Sequence, residues 1–219
     1  MREYVLATGM VLEATPVNDY DRRTVILTKE FGKITAFCRG ARRPNNKMLA
    51  VTNPFSFGSF KLYEGKNAYN LIDADISFYF EELRSDFEGA YLGMYFLEYE
   101  AYCTRENNDD TEMLKLLFQS VRAIIRPNID NRLIRAVYEI KTIAVNGEYP
   151  GIPVDRDFLP GTIRAVKHIV ESEVEHLYTF AVNDDVLKEL MYLGDLYRKK
   201  FADREFKTLE TLENSMLKI

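Results

Sequence analysis

Histidine and cysteine are nearly missing from this chain, and their scarcity removes most catalytic and metal chemistry. There are two of each in 219 residues. Cys38 and Cys103 stand far apart, which suits a reducing compartment and argues against a disulfide framework or a cysteine-rich zinc site within one chain. His168 and His176 lack the close spacing of a two-histidine metal pair and read as ordinary surface or partly buried histidines. No P-loop, Gly-x-Ser-x-Gly, Cys-x-x-Cys or paired-carboxylate motif occurs. Asn107-Asn108-Asp109-Asp110 is acidic enough for a cation, but capping of the following helix accounts for it. The expectation is a non-enzyme without cofactors. No apolar run approaches the ~18 residues of a membrane helix, and Met1-Arg2-Glu3-Tyr4 does not open a secretory signal. A cytoplasmic protein with no membrane contact is expected. Internal repeats and low-complexity tracts are also missing.

Acid is missing from one stretch in particular. The chain as a whole is acidic, at a formal charge of -5. Between Arg22 and Lys66, however, ten cations face only Glu30 and Glu64, a net +8 that leaves -13 for everything else. Within this stretch, the fifteen residues from Lys33 to Lys47 carry Lys33, Arg39, Arg42, Arg43 and Lys47 and no acid. A half-apolar strand there runs into Gly40, two arginines and Pro44. Such polarity has two readings: a polyanion held against the strand end, or a solvated basic surface that keeps a domain soluble.

With 47% hydrophobic residues the chain can bury one large core or two small ones. Residues 1 to about 80 read as five strands: Tyr4–Thr15, Thr24–Thr28, Lys33–Arg39, Phe57–Glu64 and Ala68–Phe78. Gly9 suggests a bend or bulge in the first. Gly32 suits a positive φ in the hairpin that joins the second and third. Lys47–Val51 reads as a short helical turn. Five strands with glycine bends and a break before the fourth suggest a small closed barrel of the OB type, an architecture that commonly binds oligonucleotides. The hydrophobic period then becomes helical. Ser85-Asp86-Phe87-Glu88 reads as a capping box with Ser85 as N-cap. Leu83, Phe87, Tyr91, Met94, Leu97 and Ala101 come at helical spacing. Tyr91, Tyr95, Tyr99 and Tyr102 form a stripe that reads as packing. Further helices are expected from Asp109, over Arg132–Val145, Thr162–Glu173 and Asn183–Phe201, and more weakly after Arg204. Gly147 sits where a helix should end. The fold class is α+β: an N-terminal five-stranded OB-fold barrel over residues 1–80 and an all-α domain over 81–219.

Several short motifs resemble the RecO family, in order and along nearly the whole chain. Gly9-Met10-Val11-Leu12 is similar to its opening strand, and Glu30-Phe31-Gly32-Lys33-Ile34 to its second hairpin. Arg39-Gly40-Ala41-Arg42-Arg43-Pro44 closely resembles its basic loop. Pro54-Phe55 and Leu62-Tyr63-Glu64-Gly65 fit its next strand, and Leu83-Arg84-Ser85-Asp86 resembles the start of its helical domain. Leu159-Pro160-Gly161-Thr162 matches a Ser-Pro-Gly-Thr that restarts that domain. The resemblance implies a recombination mediator in DNA repair. Such a protein binds single- and double-stranded DNA, anneals complementary strands and assists RecA loading with RecR, in the cytoplasm at the nucleoid. It also implies a contact with the acidic C-terminal tail of the single-stranded-DNA-binding protein. Many members carry a four-cysteine zinc element after a Tyr-x-Pro. Here Glu148-Tyr149-Pro150 runs almost directly into Val154–Gly161 without cysteine, so the element reads as deleted near 150–158.

Charge, strand order and the resemblance together assign DNA binding to Lys33, Arg39, Gly40, Arg42, Arg43 and Lys47, with Arg22 and Arg23 adding charge. Phe31, Phe37 and Tyr63 are possible base-stacking aromatics, although core positions suit most of them. For the acidic tail, Arg132, Arg135 and Lys141 alternate with Leu133, Val137 and Ile140 on one helix, and Arg122 and Arg126 end the preceding one. The solvated face of an amphipathic helix is the competing account. An adaptor whose basic loop meets an acidic partner is the alternative function. A metal-dependent nuclease would need clustered carboxylates in the barrel, whose strands offer only Glu13, Asp73 and Asp75.

Overall fold

The computed structural model describes residues 3–216. β1 (Tyr4–Val17), β2 (Asp21–Thr28), β3 (Gly32–Cys38), β4 (Phe57–Glu64) and β5 (Tyr69–Phe78) close into a barrel in the order β1-β2-β3-β5-β4. β3 and β4 alternate buried and half-buried residues, the period-2 pattern of a strand with one face inward. β1 is long enough to pair twice. Its first half runs against β4 from Tyr4↔Tyr63 to Met10↔Phe57, and its second against β2 from Gly9↔Thr28 to Val17↔Asp21. Gly9 lies where the two pairings overlap, and a Cβ there would sit 2.1 Å from the Leu27 carbonyl oxygen. Its role is close strand approach. The expected bulge lies nearby instead, where the register shifts between Val11 and Glu13. β3 and β5 complete the barrel with a short parallel pairing, Ala36↔Tyr69 and Phe37↔Asn70. α1 (Met48–Val51) lies between β3 and β4 and adds Met48 and Val51 to a core of Val11, Ile26, Ile34, Phe60 and Leu62. This is an OB-type barrel.

Among the described residues six further α-helices come after the barrel: α2 (Phe87–Cys103), α3 (Thr111–Ile124), α4 (Asn131–Val145), α5 (Pro160–Glu171), α6 (Asp184–Phe201) and α7 (Lys207–Met216). The α+β order expected from the sequence is the observed one. The capping box is displaced by one residue. Ser85 belongs to a 3₁₀ turn, Glu81–Ser85, and it is Asp86 that accepts from the Gly89 N–H at 2.9 Å. Glu88 accepts from Asn131 Nδ2 at 3.0 Å. On α2, Phe87 and Met94 face outward, 61% and 43% exposed, while Tyr95 and Tyr99 are buried, as packing residues should be. Gly147 ends α4 at φ +73°, with its N–H donating to the Ala144 carbonyl.

The chain divides into two compact units, neither of them continuous in sequence. Met1–Glu82 joins with Leu97–Leu114, and Leu83–Phe96 with Lys115–Ile219. In the first unit the tip of the β2–β3 hairpin is bound to the segment after α2. Gly32 bridges Glu106, the Lys33 N–H donates to the Arg105 carbonyl at 3.0 Å, and the Asn107 N–H to the Phe31 carbonyl at 3.1 Å. A cut at residue 80 would part these partners. In the second unit α4 is the central helix and is buried from Leu133 to Ile143. Phe96 stacks on Tyr138 of α4 at 4.0 Å.

Candidate nucleic-acid interface

The short β3–β5 pairing leaves a groove on the barrel. Beyond Phe37↔Asn70 the two parallel strands diverge, and a groove of about 630 Å³ opens between them. Phe37 and Arg39 line it from β3 and its exit, Asn46 and Lys47 from the start of α1, Tyr63 from β4, and Asn70 to Asp73 from β5. Phe37 and Tyr63 are half-buried, and Arg39 and Lys47 are exposed. Phe31 differs from them: it packs against the barrel core and meets Tyr69 at 5.8 Å.

The basic loop between β3 and α1 is ordered by its own polar groups. Gly40 turns at φ +65° and Asn45 at φ +61°, both left-handed. The Gly40 N–H donates to Asp21 Oδ1 at 2.8 Å, and its carbonyl accepts from Asn46 Nδ2 at 2.8 Å. Asn46 Oδ1 then accepts from the Met48 N–H at 2.9 Å, which starts α1. The Arg42 N–H donates to the Tyr20 carbonyl at 2.8 Å, tying the loop to the β1–β2 turn. Sequence reasoning missed Asn46, although an Asn two residues ahead of a helix is a recognisable cap signal.

The structure separates the eight expected DNA-binding residues. Arg39, Arg42, Arg43 and Lys47 are exposed on or beside the loop. Arg42 Nη1 reaches the Asn18 and Asp19 carbonyls at 3.4 and 3.3 Å, and the Arg43 guanidinium lies 5.7 Å from the Tyr20 ring centroid. Lys47 Nζ pairs with Asp73 Oδ1 at 2.8 Å. Their hydrogen bond lowers the Asp73 pKa and raises that of Lys47. Gly40 supplies the turn and no side chain. Arg23 pairs with Glu13 at 3.6 Å. Two residues are engaged inside the fold. Arg22 Nη1 donates to the Leu49 carbonyl, Thr52 Oγ1 and Asn53 Oδ1 at 2.8–3.0 Å, clamping α1 to β2. Burial, with Arg42 nearby, lowers its pKa. Lys33 stands at the far end of β3, roughly 20 Å from Arg39 at strand rise. Its ammonium donates to the Ala101 carbonyl, and burial first, then Arg105, lowers its pKa. Long-range packing explains both departures, because a cation count carries no information about partners 27 to 68 residues away.

Beneath the groove, Cys38 is buried, and desolvation pushes its thiol up to about 11. Neither cysteine forms a disulfide, and among the described residues no three His, Cys, Asp or Glu side chains gather as metal ligands. Glu13 and Asp73 face cations and do not converge as a nuclease would require.

Two of the three α4 cations expected to hold the acidic tail, Arg135 and Lys141, are buried and engaged within the fold. Arg135 is 6% exposed and meets Glu139 at 3.1 Å, Asp195 at 2.5 Å and Glu213 at 2.9 Å. Burial opposes its charge, but the carboxylates outweigh that and raise its pKa. Lys141 is 7% exposed and donates to the Val170 and Ser172 carbonyls at 2.9 and 2.7 Å, closing the C-terminal end of α5. Arg132 is exposed, but it forks onto Asp130, with Nη2 to Oδ2 at 2.7 Å. A central helix buries polar residues too, and on α4 the Arg135 and Lys141 donors find their acceptors inside the fold. Elsewhere in this unit a pocket of about 430 Å³ sets Arg164 and His168 beside Phe180, Val182 and Val186.

Residues 1–80 match the family model described as Recombination protein O N terminal. DNA repair protein RecO of Acetivibrio thermocellus is 23% identical, with 96% of each chain covered. RecO of Clostridium novyi is 21% identical over 92% of this chain and 91% of its own. RecO of Alkaliphilus metalliredigens is 30% identical over 65% of this chain and 58% of its own. The alignment with the Acetivibrio protein spans 242 positions against 219 residues here, so that relative carries residues this chain lacks. With its barrel matched by the N-terminal model and its helices included in the longer alignments, the chain is similar to RecO proteins along nearly its whole length.

Proposed function

We propose that this protein acts in DNA repair as a recombination mediator without catalysis of its own, and that its barrel groove takes single-stranded DNA. The observation that carries this reading is the convergence of Phe37 and Tyr63 with Arg39 and Lys47 around one groove. Aromatic faces stack on unpaired bases of any sequence, and guanidinium and ammonium groups meet the phosphates. Arg42 and Arg43 on the adjoining loop extend the phosphate track, which also suits a duplex backbone. A protein that holds single strands by phosphate and stacking leaves the Watson–Crick edges free, as annealing of complementary strands requires. RecR and, through it, RecA are the partners that the family resemblance implies. The residues missing relative to the longer relatives we assign to the short connection between α4 and α5, where the zinc element is expected.

The acidic tail of the single-stranded-DNA-binding protein belongs to this reading at a different address. An acidic peptide needs a local cation beside a surface that can seat it, and the pocket with Arg164, His168 and Phe180 supplies both. A tail peptide titrated against the Arg164→Glu variant tests the assignment: affinity falls if it is right and is unchanged if it is wrong.

The test of DNA binding is anisotropy of a labelled random oligonucleotide across a salt series. Replacing Arg39 with alanine weakens binding to all sequences alike and flattens the salt slope by about 0.7 for single strands. An adaptor for an acidic protein would show no DNA binding at any salt concentration.

A further inference from the structure

The groove contains its own anion. Among the side chains that line it, Asp73 is the one carboxylate, and it holds Lys47 at 2.8 Å with both groups largely in solvent, the Lys47 side chain 72% and the Asp73 side chain 51% exposed. On β5 it sits three residues after Asn70, where β3 and β5 have already parted, so it faces the opening between the strands. Lys61, its cross-strand neighbour, lies with its ammonium 3.9 Å from the Tyr4 ring centroid. Asp73 Oδ1 also accepts from the Ala74 N–H at 3.0 Å, a bond that an uncharged amide oxygen can keep, while Arg39 is exposed and Asn46 and Gly40 hold the loop together without Asp73.

Resting on the reading of the groove as a single-strand site, we propose that Asp73 is an internal competitor for phosphate, occupying the Lys47 ammonium until a nucleotide phosphate displaces it. An exposed ion pair is weak enough to exchange for a phosphate at little cost. The displaced carboxylate stays within the groove and repels the incoming strand, so it sets affinity below what the cations alone would give. A mediator that must hand a strand on benefits from such a limit, because a groove with two uncompensated cations would release the strand more slowly.

The test compares wild type, Asp73→Asn and Arg39→Ala on one labelled oligonucleotide over a salt series, with thermal melts showing that each variant is folded. Asp73→Asn keeps the size of the side chain and removes its charge. The expected result is binding about two- to fivefold tighter at low salt, with a salt slope steeper by about 0.7 because one more counterion is released. Unchanged or weaker binding by Asp73→Asn, while Arg39→Ala still loses affinity, overturns the competitor and leaves the groove standing. If Arg39→Ala binds as wild type does, the groove is not the site and both readings fall.

Discussion

Replacing Arg135 with alanine should cost this protein about 3 kcal/mol of stability, at the lower end of the range for a buried ion pair that loses one partner. The guanidinium serves three carboxylates, but they differ in exposure. Glu139 is fully buried, while the side chains of Asp195 and Glu213 are 36% and 49% exposed and can return to water when Arg135 is lost. The penalty therefore falls on Glu139. Removing one partner of a buried ion pair costs ~3–5 kcal/mol. The lower end applies because Glu139 Oε1 keeps the Tyr95 hydroxyl at 2.7 Å and the Arg198 guanidinium at 3.3 Å. In thermal melts, ~3 kcal/mol corresponds to roughly 6–12 °C for a chain of this size. The pH dependence adds a second measurement. Burial raises the Glu139 pKa, and without Arg135 it rises further. An acid whose folded pKa exceeds its unfolded value loses stability as pH rises through that interval. The gap between wild type and variant should therefore widen as pH rises above the ordinary glutamate value of 4.5 and shrink as pH falls back toward it. A loss below about 1 kcal/mol, together with loss of peptide binding, would refute the reasoning and return Arg135 to the surface.

The same geometry predicts three further outcomes. Gly32→Ala places a Cβ 2.6 Å from the Arg105 carbonyl oxygen at φ +63°, so urea unfolding should show a loss of about 2 kcal/mol or more. Lys141→Met abandons the Val170 and Ser172 carbonyls and should cost about 2 kcal/mol in the same assay with DNA affinity unchanged. Cys38, with its thiol raised to about 11 from 9.0, should resist alkylation in the native protein at pH 8 and react once the chain is unfolded in urea; between pH 9 and 11 the unfolded thiol ionises first, so stability should fall there and fall less in Cys38→Ala.

Much of the fold was legible in the sequence because local rules govern it. Five short strand-like runs and the glycines between them marked the barrel, and Leu133, Val137 and Ile140 at helical spacing on α4 are buried as that spacing implies. The OB topology was readable from strand count and the helix before β4. What stayed hidden depends on pairing at long range. Lys47 meets Asp73 because of where β5 runs, 26 residues on. Arg135 reads as a surface cation on an amphipathic helix, since its partners Asp195 and Glu213 lie 60 and 78 residues away. Lys33 and Arg22 raise the local charge count by the same right as Arg39, yet their donors are taken up by oxygen acceptors within the fold. The groove itself results from two strands that part after two residue pairs, and no residue on either strand encodes that separation alone.

The bond between the hairpin tip and the Arg105–Asn107 segment has a consequence in time as well as in space. A ribosome that has released residue 80 has delivered all five strands, yet Gly32, Lys33 and Phe31 still lack the main-chain partners that hold the tip. Some 27 more residues must emerge first, a wait of roughly one to five seconds at ordinary synthesis rates. In that interval the barrel has every strand but an unheld hairpin, and the basic loop stands at the other end of the strand that hairpin begins. Assembly of the binding face is thus coupled to synthesis of the chain beyond it. Fragments ending near residue 80 should reproduce the nascent intermediate more closely than the finished domain, and fragments extended to Leu114 should reproduce the unit as it is built.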